Sequence, residues 1–308
     1  MKRHKIGLLH YVHENDPFFD TSAVQRVRQT LARYGYHDGE NVTFHEAYGG
    51  RDFERTVALA QAMVDAGVDV ICSFISNANK AAKIATETTQ TPVVCWSSYP
   101  LQEGLAESYL QPGGNFTGFT YDPYHNLAKV RALKIADPTL SDIGYFYDPT
   151  YGPARHALPE IAQAAELLGL TLHHGKVAAE AEILPTLETL IAGGARGIVV
   201  GPHEMLNRNG KAIGACLLSH GIPASCNQMS ILQAGALVRV SNPAAKGWDS
   251  VAGMIDQILQ GTPVASLPFD RGLKAPMELN LTNAAKLNLS LPAYFINEAD
   301  RVIGAPLP

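Results

Sequence analysis

Short apolar runs alternate with stretches of helical period along almost the whole chain, and this alternation is the strongest signal it carries. Residues 5–12 read as a compact strand, and in 21–34 the residues Val24, Val27 and Leu31 recur at helical spacing with Arg26, Arg28 and Arg33 on other faces. Val42 and Phe44 alternate with polar neighbours. Asp52 is placed to cap a helix carrying Val57, Leu59, Ala60 and Met63, and Gly67 to end it before the apolar run 68–72. Ser76 opens a third helix through Ala78, Ala81, Ala82 and Ile84, and 91–96 supplies a fourth strand. Strands separated by helices in this way imply a parallel sheet covered on both faces.

The run 110–120 interrupts the series. Pro112 lacks a backbone donor and Gly113 and Gly114 tolerate positive φ, so a sharp turn is expected before Asn115 to Thr120 extends again. The stretch reads as a crossing between two lobes, because the same cycle restarts beyond it. A helix over 124–136 carries Leu127, Val130, Leu133 and Ile135, and a strand at 141–147 follows. Helices at 153–168, 183–192 and 208–219 then alternate with strands at 171–177, 197–201 and 222–226. The pattern predicts an α/β chain of two doubly wound lobes, a weak structural repeat. A strand at 236–241, an amphipathic helix at 244–259, a break at Gly261-Thr262-Pro263 and a late strand at 277–281 suggest that the chain returns to the first lobe and then to the second. The expected division is 1–121 plus 243–272 and 122–242 plus 273–308, joined by a hinge of several segments.

Length and composition narrow the function classes. The 308 residues, 46% of them hydrophobic, suffice for two cores. A net charge of -5, with no basic run beyond the first five residues, gives no surface for phosphate backbones, so nucleic acid is excluded as an expected partner. The basic start and residues 6–9 do not continue into a secretory leader, since His10 cuts the apolar run and no small-residue cleavage site follows. No apolar segment is long enough to span a bilayer. Cys72, Cys95, Cys216 and Cys226 lack metal-type spacing and read as buried thiols, with one disulfide left open, and no phosphate loop of Walker or dinucleotide type is present. Neither a metal nor a cofactor is expected.

In open parallel sheets ligands bind beyond the carboxyl ends of the strands, which directs attention to the strand-to-helix loops. In the first lobe these hold Tyr11 and Phe18, then Ser76, Asn77 and Ala78 at a helix start suited to a carboxylate or phosphate, then Trp96 and Ser97. In the second they hold Tyr147, Asp148 and Tyr151, then His203 and Glu204, then Asn227. Asp148 or Glu204 would accept an ammonium, and the rings of Tyr11, Phe18, Trp96 and Tyr147 would suit a flat or apolar side chain. Plain alternatives stand beside each: Ser76 as an ordinary cap, the rings as packing, Arg239 as an ion partner or a solvated hinge residue.

The stretches Gly-Glu-Asn-Val-Thr at 39–43, Gly50-Arg51, Pro-Gly-Gly-Asn-Phe-Thr-Gly at 112–118, Glu-Leu-Leu-Gly-Leu at 166–170 and Ala-Ala-Lys-Leu-Asn-Leu at 284–289 together resemble the substrate-binding proteins of a group of ABC transporters, over nearly the whole chain. The resemblance implies the type I periplasmic-binding-protein fold, with three crossovers and a ligand held between two lobes. Some members of that group are similar to carriers for tryptophan or other aromatic amino acids. It implies a monomer, no catalysis, no direct membrane insertion, and delivery of a small polar solute, an amino acid or aromatic metabolite, to a permease in the periplasmic or extracytoplasmic space. Such proteins normally carry a leader, so a trimmed mature form or a cytoplasmic relative is expected here. The aromatic and histidine-rich loops at 11–19 and 145–151 depart from the smaller polar residues expected of the group. Two rival readings remain: a ligand-sensing domain, and a racemase-type enzyme using Cys72 and Cys226 at corresponding strand ends. A catalytic thiolate needs an exposed, electropositive setting, which weighs against the second.

Overall fold

The computed structural model describes residues 3–16, 21–120, 124–241, 244–272 and 274–304. The chain divides into two compact units, Met1–Tyr121 with Pro243–Leu273, and Asp122–Asn242 with Lys274–Pro308. In chain order the first contribution to unit 1 is β1 (His4–His10), α1 (Thr21–Arg33), β2 (Val42–Tyr48), α2 (Phe53–Asp65), β3 (Val70–Phe74), α3 (Ser76–Ala85), β4 (Val93–Trp96) and β5 (Phe116–Thr120). Unit 2 follows with α4 (His125–Ala136), β6 (Asp142–Tyr147), α5 (Gly152–Leu167), β7 (Thr171–Lys176), α6 (Ile183–Ala192), β8 (Gly197–Val200), α7 (Glu204–Arg208), α8 (Gly210–Ser219), β9 (Ala224–Cys226), α9 (Met229–Ala234) and β10 (Val238–Val240). The chain then supplies α10 (Ala244–Leu259) and β11 (Asp270–Arg271) to unit 1, and β12 (Met277–Asn280), α11 (Leu281–Lys286), α12 (Ala293–Glu298) and β13 (Arg301–Ile303) to unit 2.

Unit 1 is a six-stranded sheet in the order β11-β5-β4-β3-β1-β2, every neighbouring pair parallel. Because side chains alternate along a strand, Ile6, Leu8, Val70, Cys72 and Val94 face α1 and α10, where Val27, Leu31, Val251 and Ile255 meet them. Leu9, Ile71, Val93 and Cys95 face α2 and α3 and their small residues Ala60, Ala78, Ala81 and Ala82. Asp52 caps α2 as expected, accepting from Arg55 N at 3.0 Å. The Pro112–Gly114 turn does not form the crossing; it lies inside unit 1 and delivers β5 to the edge of β4, with the unit boundary after β5. Gly118 permits that pairing, since a Cβ there would fall 1.8 Å from the Cys95 carbonyl oxygen.

Unit 2 is a seven-stranded sheet in the order β13-β12-β10-β9-β8-β6-β7. One apolar layer joins Phe146, Ile198, Val200 and Cys226 to α6, α8 and α9, and another joins Val238, Val240, Met277 and Leu279 to α4, α11 and α12. One pairing departs from the expected parallel sheet: β12 runs antiparallel to β10, with Arg239 opposite Glu278. The chain re-enters the unit beside the point where β10 ended, Ser241 N donating to Pro276 O at 2.9 Å, and so runs back along it. The helix expected at 208–219 is α8, which begins at Gly210 after the short α7 that the sequence pattern did not announce.

Candidate functional site

The carboxyl rim of the unit 1 sheet is dominated by the start of α3. Phe74 and Ser76 are both buried, and the residue between them turns the chain at φ 69° and ψ 165°, a conformation open essentially to glycine alone. That residue is Ile75. It occupies the cap position with no side-chain cap bond and costs about 1–3 kcal/mol of backbone strain. Asn79 N donates to Ile75 O at 3.0 Å, so the amides of Ser76, Asn77 and Ala78 precede the first intrahelical bond, and none of the three donates among the described residues. Ser76 is 2% exposed and its Oγ is buried with no hydrogen-bond partner. Ser76 therefore is not the cap: it adds an unused hydroxyl to three unused amides at the positive end of a ten-residue helix. Ser73 Oγ donates to Asn79 Oδ1 at 2.6 Å and Asn79 Nδ2 donates to the Trp96 carbonyl at 2.8 Å, fixing this helix start to β3 and β4.

The other unit 1 candidates are engaged in the fold. Trp96 ends β4 and turns its ring into the core, 4.8 Å from Phe119 and 5.0 Å from Trp248. Ser97 is buried, donating to Glu103 Oε2 at 2.8 Å and accepting from Tyr99 N. Tyr11 is half-buried and its hydroxyl donates to Arg51 O at 2.8 Å. Phe18 lies outside the described residues. His10 is the fully buried last residue of β1, between the rings of Tyr48 and Phe74. Burial lowers its pKa against the opposing pull of Glu46, whose own carboxyl is held down to about 2, first by His10 and then by Tyr48 and Arg28. At the opposite, amino end of the sheet, Asp69, Pro92, Ile258, Leu259 and Pro263 line an open depression of about 360 Å³. Asp69 there already accepts from Lys5 N at 2.8 Å.

On the rim of unit 2, the structure brings Asp148, Tyr151 and His203 together. Asp148 is 3% exposed; its Oδ1 accepts from both the amide and the hydroxyl of Thr150 at 2.7 Å, and its Oδ2 lies 3.4 Å from His203 Nε2. Met205 N donates to His203 Nδ1 at 3.0 Å, which places the neutral ring's proton on Nε2, facing the carboxylate. Tyr151 packs edge-on to that ring at 4.9 Å. Burial lowers the His203 pKa, partly offset by Asp148 and reinforced by Arg208. Glu204 accepts from Arg208 one turn along α7 at 3.1 Å. Tyr147 is buried, with its ring stacked on Tyr145 at 4.4 Å.

Asn227 sits in a network that sequence reasoning missed. Lys129 is 1% exposed, and its Nζ donates to Asn227 Oδ1 at 2.7 Å and Asn126 Oδ1 at 3.2 Å. Desolvation pulls its pKa down to about 7, against the pull of Cys226 and Glu160. Arg239 donates through Nε to the Asn227 carbonyl and through Nη1 to Glu278 at 2.6 Å, so it is an internal ion-pair residue, neither a solvated arginine nor a group free for an acidic ligand. The overlooked signal was phase: Asn126 and Lys129 fall in register with Leu133 and Ala136 on the buried face of α4.

The thiols are unsuited to proton transfer. Cys72 and Cys226 are fully buried, and burial pushes the first well above the usual thiol range and the second to about 12. Among the described residues all four cysteines are free and no group of three or more His, Cys, Asp or Glu could hold a metal ion. Within the same residues, no helix is long and apolar enough to cross a membrane.

Two parallel-dominated sheets wrapped by helices, with their polar loops at the carboxyl rims, define a protein of the type I periplasmic-binding-protein fold. The structure is similar to that of an ABC domain in complex with L-Trp from Streptococcus pneumoniae, with a TM-score of 0.86, 22% identity and coverage of 98% of this chain and 100% of that one. It is also similar to a conserved domain protein from Vibrio cholerae, with a TM-score of 0.83, 20% identity and the same coverage. In sequence it is 22% identical, over 78% of this chain and 69% of the relative, to the tyrosine-binding protein of Clostridioides difficile strain R20291. A family model for ABC transporter substrate binding proteins matches residues 13–303, and the chain belongs to that family. The family is one of extracytoplasmic solute-binding proteins that work with ABC transporters.

Proposed function

We propose that this protein captures an amino acid with an aromatic or large apolar side chain and hands it unchanged to an ABC permease, as an extracytoplasmic monomer. The observation that carries the reading is the buried, unpartnered Ser76 Oγ beside the unused amides of Ser76, Asn77 and Ala78. Unmet donors at the positive end of a helix suit a carboxylate, which accepts several charge-assisted hydrogen bonds at once. On unit 2 the carboxylate we propose for an ammonium is Asp148, whose Oδ2 lies 3.4 Å from His203 Nε2. The relatives in complex with L-Trp and named for tyrosine support an aromatic side chain. Capture without chemistry fits the buried thiols. Mass spectrometry of the small molecules released from gently purified protein tests the reading, followed by calorimetry with L-tryptophan and L-tyrosine. Recovery of an aromatic amino acid, and binding without conversion, is the expected result. Conversion of an added L-amino acid to its enantiomer would instead establish the racemase, and failure of every amino acid to bind would end the amino-acid reading.

A further inference from the structure

Ile75 is unfavourable where it stands on two separate grounds. Its backbone lies in a region open essentially to glycine, and its apolar side chain is 45% exposed, outside the core of unit 1. Glycine would take this φ and ψ without strain, and a polar residue would meet solvent more favourably. The side chain therefore gains little from the core to set against the strain of its backbone, and its presence points to a contact made with something other than the fold. What lies next to it is the group of unmet donors at the start of α3, with the buried Ser76 Oγ among them. An amino acid held there by its carboxylate carries its side chain on the very next carbon, so the residue immediately before the amides flanks that side chain.

We infer that Ile75 is a specificity-determining residue: its strained backbone presents an apolar side chain to the side chain of the bound amino acid and favours large apolar ligands over small ones. The inference rests on the amino-acid reading above. The Ser73, Asn79 and Trp96 hydrogen bonds hold the start of α3 from the far side, so shortening Ile75 leaves the amides in place while removing the apolar surface.

The test measures L-tryptophan, L-tyrosine and L-alanine by calorimetry on the full chain, for wild type, Ile75→Ala and Ile75→Gly. Ile75→Ala is expected to weaken L-tryptophan and L-tyrosine about tenfold while changing L-alanine less than about twofold. Without ligand, Ile75→Gly is expected to raise Tm by about 2–4 °C as the strain is relieved. Equal weakening of all three amino acids would overturn the inference, because Ile75 would then act only on the donor geometry. A lowered Tm for Ile75→Gly would overturn it as well, by showing that the side chain belongs to the packing of the fold. If wild type binds none of the three, the amino-acid reading fails first; if wild type binds and the tryptophan-to-alanine ratio survives in Ile75→Ala, only the role of Ile75 fails.

Discussion

The carboxyl rims of the two sheets are built on opposite principles. On unit 1 the rim side chains are largely engaged by the fold, in the ring cluster of Trp96, the hydroxyl of Ser97 and the network of His10, whereas among the described residues the buried Ser76 hydroxyl and the amides that open α3 stand without partners. On unit 2 polar side chains converge but are already matched: Asp148 with Thr150 and His203, Glu204 with Arg208, Asn227 with Lys129 and Arg239. Unit 1 offers donors fixed by a helix, which require no side chain to be ordered when a ligand arrives. Unit 2 offers charges whose positions are set beforehand by neighbours, so their replacement disturbs the fold as well as any binding.

The largest effects on stability should come from rim residues that the fold has packed into its core. Trp96→Ala removes a buried ring from contact with Phe119 and Trp248 and is expected to destabilise the protein by about 3–5 kcal/mol in denaturant unfolding. Loss of ligand affinity with stability intact would reverse that assignment. Lys129 comes next. Its folded pKa of about 7 lies below its ordinary 10.5, so between those values the unfolded chain holds a proton that the native chain does not. Stability from this group therefore rises with pH above 7 and is lost as pH falls towards 7, at up to about 1.4 kcal/mol per pH unit. Because ionisation of unfolded cysteines opposes this as pH nears 8.5, the readout is the difference between the two proteins: from about pH 7 to 8 wild type should gain about 1 kcal/mol more than Lys129→Met.

The elements were legible because each carries its own period: the strand runs, the Asp52 cap and the repeated helix faces follow from local rules. What sequence left open needed tertiary information. In a sheet covered on both faces, the parity of a strand residue says which layer it enters and not whether it is exposed; Trp96 and Val94 share a face, and that face is covered by α10. The reversal of β12 depends on where the chain re-enters unit 2, which no local pattern encodes. Ser76 and Asp148 stood out as polar residues at strand ends, whereas Ile75 did not, since nothing in its identity announces a backbone meant for glycine. Lys129 was visible in principle, as a cation in phase with an apolar face.

The smaller predictions bear directly on the contrast between rims. Ser76→Ala removes a buried donor that has no partner among the described residues, so Tm should hold or rise while affinity for L-tryptophan falls about tenfold or more, the weight of one charge-assisted hydrogen bond. The matching change on the other rim, Asp148→Ala, strips Thr150 and His203 of their acceptor and should lower stability by about 1–3 kcal/mol even without ligand. Equal behaviour of the two variants in the absence of ligand would erase the distinction between unmet and matched rims.

His203 gives the smallest effect and the finest test of how unit 2 is preset. Burial holds its folded pKa below the ordinary 6.5, so as pH falls below that value the unfolded chain takes up the proton first. Native stability is then full above the ordinary value and declines as pH drops through the folded one, the same sign as His10. Side-chain exposure of 23% at His203 lets solvent screen the effect, and its share should stay under about 1 kcal/mol. His203→Gln can keep an acceptor for Met205 N while removing the titration, so unfolding between about pH 6.5 and 5 should become less acid-sensitive by that small amount. A steeper acid loss in the variant would mean that protonated His203 pairs with Asp148 and stabilises the native rim, making this carboxylate less open to a ligand's ammonium than we have assigned.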